Sequence, residues 1–423
     1  MGIDAVGIDA KAVDALGDER LDWRFKAVPA SAHGMTVAGA RRARLPLDDF
    51  GTPLLTLDAG ALDHNVRAMA EWAGAAGLDL APHGKTTMAP ALWRMQLDAG
   101  AWGITIANLP QLRVARAFGV RRVLLANTLI DPAGLAWLAS ELERSPEFEF
   151  VSWVDSVRAV ELMDDALRLA RAQRQVDVCV ELGGPDGRTG VRGDGDARTI
   201  ADAVRGAPTL RLAGVAGYEG ALAHDASEEG RGTVDAYLRR LGNLYEGLDF
   251  EVGEPVVSAG GSAFFDQVAE VLGGLGGRVL LRSGAYIVHD DGFYRGISPF
   301  ARGAGGAGAR LRSAMHAWAR VVSRPEPALA ILDAGRRDLP FDQGLPEPQL
   351  VRGRGPAPVD GARITALNDQ HAYLVDGSPE IGDVVRLGLS HPCTALDKWT
   401  MIPVVDDAGA EHPEVVDYVR TWF

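Results

Sequence analysis

The stretch Pro82-His83-Gly84-Lys85-Thr86-Thr87 places an amine directly after a short apolar run, Gly77-Leu78-Asp79-Leu80-Ala81, and ahead of a helix-like segment from Ala89 to Ala99. That order predicts a lysine at the C-terminal lip of an early strand, the end at which α/β barrels keep their reacting groups. A lysine so placed can form a Schiff base with a carbonyl cofactor such as pyridoxal phosphate. Most lysines are solvated charges, so Lys85 gains meaning only from what accompanies it.

A second signal is Val256-Val257-Ser258-Ala259-Gly260-Gly261-Ser262-Ala263, a strand-like run entering a glycine turn before a helix-like stretch, Phe265 to Leu272. Such a turn exposes backbone N–H groups at a helix N-terminus, and the Ser262 hydroxyl adds a further donor, so Gly260, Gly261 and Ser262 suit a phosphate. The plain alternative is a tight turn and nothing more. Glu181-Leu182-Gly183-Gly184-Pro185-Asp186-Gly187-Arg188 is another strand-to-loop junction. There Arg188 either donates to an anionic oxygen or pairs with Asp186 on the surface, where a pair is worth little. Tyr218 closes a strand, either flanking a flat ligand or ending in the core.

Near the end, Ser390-His391-Pro392-Cys393-Thr394 sets an imidazole and a thiol two residues apart. In an extended chain both point to one face, and both are good zinc ligands. Two protein ligands leave positions open to water or substrate, as at catalytic metals. His371 stands as a further candidate ligand or a hydrogen-bonded core histidine.

These residues need elements to hold them. From about Thr52, nine strand-like runs (53–57, 78–82, 103–106, 122–125, 149–153, 177–181, 212–218, 255–258 and 278–281) alternate with helix-like stretches such as Ala61–Trp72, Leu109–Phe118, Ser156–Ala172 and Thr233–Tyr245. The alternation implies parallel strands with helical crossovers, and its length favours a closed (β/α)8 barrel over an open doubly wound sheet. A Gly/Ala linker at 303–309 ends the pattern, and beyond it short alternating runs (317–322, 328–332, 363–367, 372–375, 383–387) predict a small, mostly antiparallel β domain. The expected division is an N-terminal extension over 1–45 that packs on either domain, a barrel over 46–300 and a β domain over 308–423.

The 423 residues are 47% apolar and 24% charged with a net charge of -14, which argues against nucleic-acid or anionic-membrane surfaces. The only cysteines, Cys179 and Cys393, indicate no disulfide framework and fit a reducing cytoplasm. Met1 to Leu21 lacks the basic start and apolar core of a signal peptide, Val6 stands where a myristoylated chain carries Ser or Thr, and no apolar run suggests a membrane span.

Taken together, the chain from about Thr52 to Asp407 resembles the fold-type III pyridoxal-phosphate enzymes that include D-serine dehydratase and D-threonine aldolase, with an alanine-racemase-like barrel followed by a β domain. The matching motifs are Thr52-Pro53-Leu54-Leu55-Thr56-Leu57-Asp58 at the barrel start, Pro82-His83-Gly84-Lys85-Thr86, Gly187-Arg188-Thr189-Gly190-Val191, Ser258-Ala259-Gly260-Gly261-Ser262, Arg282-Ser283-Gly284-Ala285-Tyr286, Leu389-Ser390-His391-Pro392-Cys393-Thr394 and Asp397-Lys398-Trp399. The resemblance implies Lys85 as the Schiff-base lysine, Gly260, Gly261 and Ser262 as the phosphate cradle, and Arg188 as donor to the cofactor's 3-oxygen. It also implies Tyr218 beside the ring, Tyr286 facing the cofactor, and His391 with Cys393 as zinc ligands. The aldolase branch usually carries an aspartate as second ligand, so Cys393 favours elimination of water from a D-3-hydroxy amino acid. The expected protein is a homodimer and a lyase. The alternatives are a metal-dependent D-threonine aldolase, an amino-acid racemase and a non-catalytic pyridoxal-phosphate-binding protein.

Overall fold

A computed structural model of the chain describes residues 7–423 apart from 186, 307–309, 353–356 and 360. The opening residues read for a leader, the Asp186 side of the Asp186–Arg188 pair and the last part of the Gly/Ala linker lie outside the described residues. No described helix is long and apolar enough to cross a membrane.

Eighteen strands are described, and they fall into two sheets. The first nine are β1 (Leu54–Asp58), β2 (Asp79–Leu80), β3 (Ile104–Ile106), β4 (Arg122–Leu125), β5 (Glu149–Val154), β6 (Val176–Leu182), β7 (Leu210–Gly217), β8 (Val256–Ala259) and β9 (Arg278–Leu281). β2 to β9 form one all-parallel sheet in the order β2-β9-β8-β7-β6-β5-β4-β3. Its two ends meet where Thr105 N donates to Pro82 O (2.9 Å) and Trp102 N to Leu80 O (2.7 Å), which closes the barrel. The strands are apolar along most of their length because they are covered on both faces. Gly214 in β7 shows how tightly: a Cβ there would lie 2.0 Å from Val256 O on β8.

The other strands are β10 (Met315–Glu326), β11 (Leu329–Leu332), β12 (Glu347–Arg352), β13 (Ala357–Pro358), β14 (Arg363–Leu367), β15 (Ala372–Val375), β16 (Val384–Gly388), β17 (Met401–Val405) and β18 (Val415–Arg420). They make a mostly antiparallel sheet along β13-β12-β16-β10-β1-β17-β18, with β11, β15 and β14 branching from β10. The alternating runs past residue 310 form strands as expected, while β12, β13, β17 and β18 fall outside those runs.

One strand changes sheet. β1, expected at the barrel start, pairs antiparallel with β10 and parallel with β17. The two domains are therefore interleaved. Asp58, at the end of β1, caps the helix Ala59–Ala75 by accepting from Ala61 N (2.8 Å), and its second oxygen accepts from Ala408 N beyond β17 (2.8 Å). One carboxylate thus fastens the first barrel helix to the β domain. The N-terminal segment touches both units. Asp9 N donates to Phe118 O on the barrel (2.9 Å), while Leu21, Phe25 and Val37 pack with Trp318, Met401 and Tyr418 of the β sheet.

Candidate active site

The C-terminal ends of the barrel strands face the β domain across a cavity of about 400 Å³. Eight of the nine residues given a role by the resemblance line it: Lys85, Arg188, Tyr218, Gly260, Gly261, Ser262, His391 and Cys393. Tyr286 does not. It follows Ala285 in the short turn Ala285–Ile287; Ala285 lines the cavity, whereas the Tyr286 ring is buried with its hydroxyl bonded to Gln96. Tyr294, in the helix Phe293–Ile297, lines the cavity and had no local signal.

Lys85 rises from the turn Gly84–Thr86 just past β2. Burial lowers its proton affinity; the charge of Cys393 opposes this, and Arg188 and Arg282 reinforce it. A lysine with a lowered value holds more of its neutral, nucleophilic form near neutrality. His83, two residues earlier, lines the same wall and is held neutral, first by burial and then by Lys85 and Arg282. Its Nδ1 and the Trp153 Nε1 are buried polar atoms with no partner among the described residues.

Arg188 lies over the Tyr218 ring, 4.8 Å from its centroid. Arg282, from the end of β9, is fully enclosed; it donates to Ser258 Oγ (2.7 Å) and Gly217 O (2.6 Å) and sits 4.9 Å above the Trp153 ring. Gly260 and Gly261 reach the cavity wall, but their N–H groups are already engaged: both donate to the buried carboxylate of Glu219.

His391 and Cys393 converge from the β domain, though in a different backbone from the one expected. His391 is left-handed (φ 54°) and precedes the short helix Pro392–Leu396, so the pair is presented by a helix start rather than by an extended strand. Asp290 offsets the strain of that conformation by accepting from His391 N (2.9 Å) and from the amides of Gly292, Tyr294 and Arg295. The His391 Nδ1 donates to Asp342 Oδ2 (2.5 Å), and Asp342 Oδ1 accepts from Thr394 Oγ1 (2.6 Å). Cys393 Sγ lies 3.5 Å from Thr86 Oγ1, next to Lys85. Burial would raise the Cys393 thiol, but hydrogen bonds to His391 and Thr86 and the charges of His391 and Lys85 outweigh it and hold it below its ordinary value. His391 is pushed up to about 9, first by its hydrogen bond to Cys393. His371 is exposed and lies outside the cavity lining, so the reading as a core histidine does not hold.

Among the described residues no group of three or more His, Cys, Asp or Glu side chains is set to hold a metal. The chemistry of the donor pair fits a borderline-soft divalent ion with open positions: a thiol poised to ionise, and an imidazole whose other nitrogen is oriented by a carboxylate. The cavity equally fits pyridoxal phosphate, with a lysine of lowered proton affinity, orphaned polar atoms in His83 and Trp153, and a glycine turn in one wall.

Comparison with known proteins agrees with this fold. Residues 57–271 match the family model described as "Alanine racemase, N-terminal domain", and residues 314–405 match "Putative serine dehydratase domain". The chain belongs to the fold-type III pyridoxal-phosphate enzymes, in their D-serine dehydratase-like branch. It is 29% identical to a D-threonine aldolase of Arthrobacter sp over 376 residues, covering 86% of this chain and 92% of that one. It is 26% identical to D-threo-3-hydroxyaspartate dehydratase of Delftia sp. (strain HT23) over 377 residues, covering 81% and 90%. The crystal structure of D-threonine aldolase from Filomicrobium marinum superposes with a TM-score of 0.74 at 26% identity, covering 89% of this chain and 96% of that one. Aldolases and dehydratases are both lyases, and these act on small D-amino acids.

Proposed function

We propose that this protein is a pyridoxal-phosphate- and zinc-dependent dehydratase that eliminates water from a D-3-hydroxy amino acid, the released enamine then being hydrolysed by water to a 2-oxo acid and ammonia. The observation that carries the reading is the convergence of Lys85 with His391 and Cys393 in one cavity, joined through Thr86. Bound at Lys85, pyridoxal phosphate supplies an electron sink that acidifies the substrate Cα–H. Lys85, with its proton affinity lowered by burial, is the base that takes this proton. Arg188, stacked on Tyr218, and Arg282, stacked on Trp153, both line the cavity and would border the cofactor there. A zinc held by His391 and Cys393 supplies a Lewis acid for the β-hydroxyl, a poor leaving group on its own. Asp342 keeps the imidazole Nε2 turned away from itself and available. The reading includes a homodimer, from the resemblance, and a cytoplasmic location, which suits two free cysteines.

Aldol cleavage is the second reading, favoured by the 29% identity to a D-threonine aldolase. Incubating the holoenzyme with D-serine, D-threonine and D-3-hydroxyaspartate separates the two. Dehydration releases ammonia and a 2-oxo acid in a chelator-sensitive reaction. Glycine and an aldehyde without ammonia would overturn the proposal in favour of the aldolase.

A further inference from the structure

Glu219 follows the end of β7 and is fully buried, yet its carboxylate is not idle. Its Oε2 accepts from Gly260 N (3.0 Å) and its Oε1 from Gly261 N (2.6 Å). Consecutive N–H groups directed at one anion form a nest, and here the protein fills the nest with its own side chain. Gly260 sits at φ 91°, a conformation natural only to glycine, so the turn has no side-chain restraint of its own. The two amides bound to Glu219 hold it. Beyond this point Ser262 Oγ accepts from Ala285 N (3.2 Å), and Ser283 Oγ donates to Gly261 O (3.0 Å), which ties the turn after β8 to the turn after β9. Ser262, Gly284 and Ala285 all line the cavity, and among the described residues the amides of Ser262 and Gly284 have no protein partner. The enclosed Arg282 guanidinium lies within the field of the Glu219 charge.

We propose that Glu219 is a positioning residue for the cofactor's phosphate. By engaging the Gly260 and Gly261 amides, it holds the turn in the shape that leaves Ser262 and Gly284 to bind the phosphate. The phosphate seat is therefore one step further along the chain than the glycine pair suggests. This inference rests on the cavity being a pyridoxal-phosphate site.

The test compares two ligands that differ only in the phosphate. Apoenzyme is titrated with pyridoxal 5'-phosphate and with pyridoxal, following the Schiff-base absorbance, for the wild type, Glu219→Gln and Glu219→Asp. Gln sets an N–H against one of the two glycine amides; Asp keeps the charge but is one methylene too short to span both. Either variant is expected to weaken pyridoxal phosphate about tenfold or more, the factor carried by one charge-assisted hydrogen bond. Pyridoxal affinity is expected to stay as in the wild type, which a merely structural loss would not allow. If Glu219→Gln does not accumulate as folded protein, Glu219→Asp carries the test. Equal weakening of both ligands, or of neither, would overturn the inference. A wild type that takes up neither compound would instead remove the cofactor reading on which it rests.

Discussion

Replacing Asp342 by alanine is expected to separate metal affinity from fold stability. Asp342 accepts from His391 Nδ1 (2.5 Å) and from Thr394 Oγ1 (2.6 Å), so its loss frees the imidazole to rotate and to exchange tautomers. Removing such an outer partner typically weakens metal binding about 10- to 100-fold, or about 1.4 to 2.8 kcal/mol. The folding cost is smaller. The His391 and Asp342 side chains are 24% and 38% exposed, and partly solvated pairs contribute under about 1 kcal/mol. Asp342→Asn keeps an acceptor for Nδ1 and the contact to Thr394, so it should fall between wild type and alanine. The assay is zinc or cobalt(II) titration against a competing chelator, with a thermal melt of the metal-free protein alongside. An Asp342→Ala variant that binds metal as tightly as wild type, while His391→Ala loses it, would refute the orienting role. A large drop in melting temperature without a change in metal affinity would do the same.

Lys85→Ala is expected to abolish turnover and the visible Schiff-base band; a persistent band without added amine would place the covalent link elsewhere. Cys393→Asp, which swaps in the ligand type of the aldolase branch, is expected to shift D-threonine products from ammonia toward glycine, read by quantifying both from one reaction. Acid stability follows from two buried histidines: burial, with Arg386 nearby, holds His316 to about 3, and burial, with Arg295 nearby, holds His289 to about 4. Both folded values lie below the unfolded value near 6.5, so the unfolded chain binds more protons and stability falls as pH drops below about 6.5. At pH 5 each costs roughly 2 kcal/mol. Denaturant titrations at pH 7 and pH 5 should show this loss, and His316→Gln should recover about half of it; an unchanged pH dependence in that variant would remove His316 as a cause.

Much of the barrel was legible because its signals are local. Runs such as Arg122–Leu125 and Arg278–Leu281 are bounded by turn residues and separated by helical spacing, and the strands fall at those positions. The Lys85 turn, the Gly260-Gly261 turn and the His391-Pro392-Cys393 segment were legible for the same reason: each is a few consecutive residues of distinctive type. What local pattern does not carry is the choice of partner. Leu54–Asp58 reads like any buried barrel strand, and only its pairing with β10 and β17, far along the chain, sends it to the other sheet. Burial of Glu219 against the glycine amides, the entry of Tyr294 in place of Tyr286, and the anchoring of His391 by Asp342 and Asp290 are all contacts between segments remote in sequence. Sequence alone determined which groups were available for chemistry, because residue type sets what each can donate, accept or ligate. Tertiary structure decided which of them meet, because barrel closure and the interleaved β domain bring separate loops to one cavity.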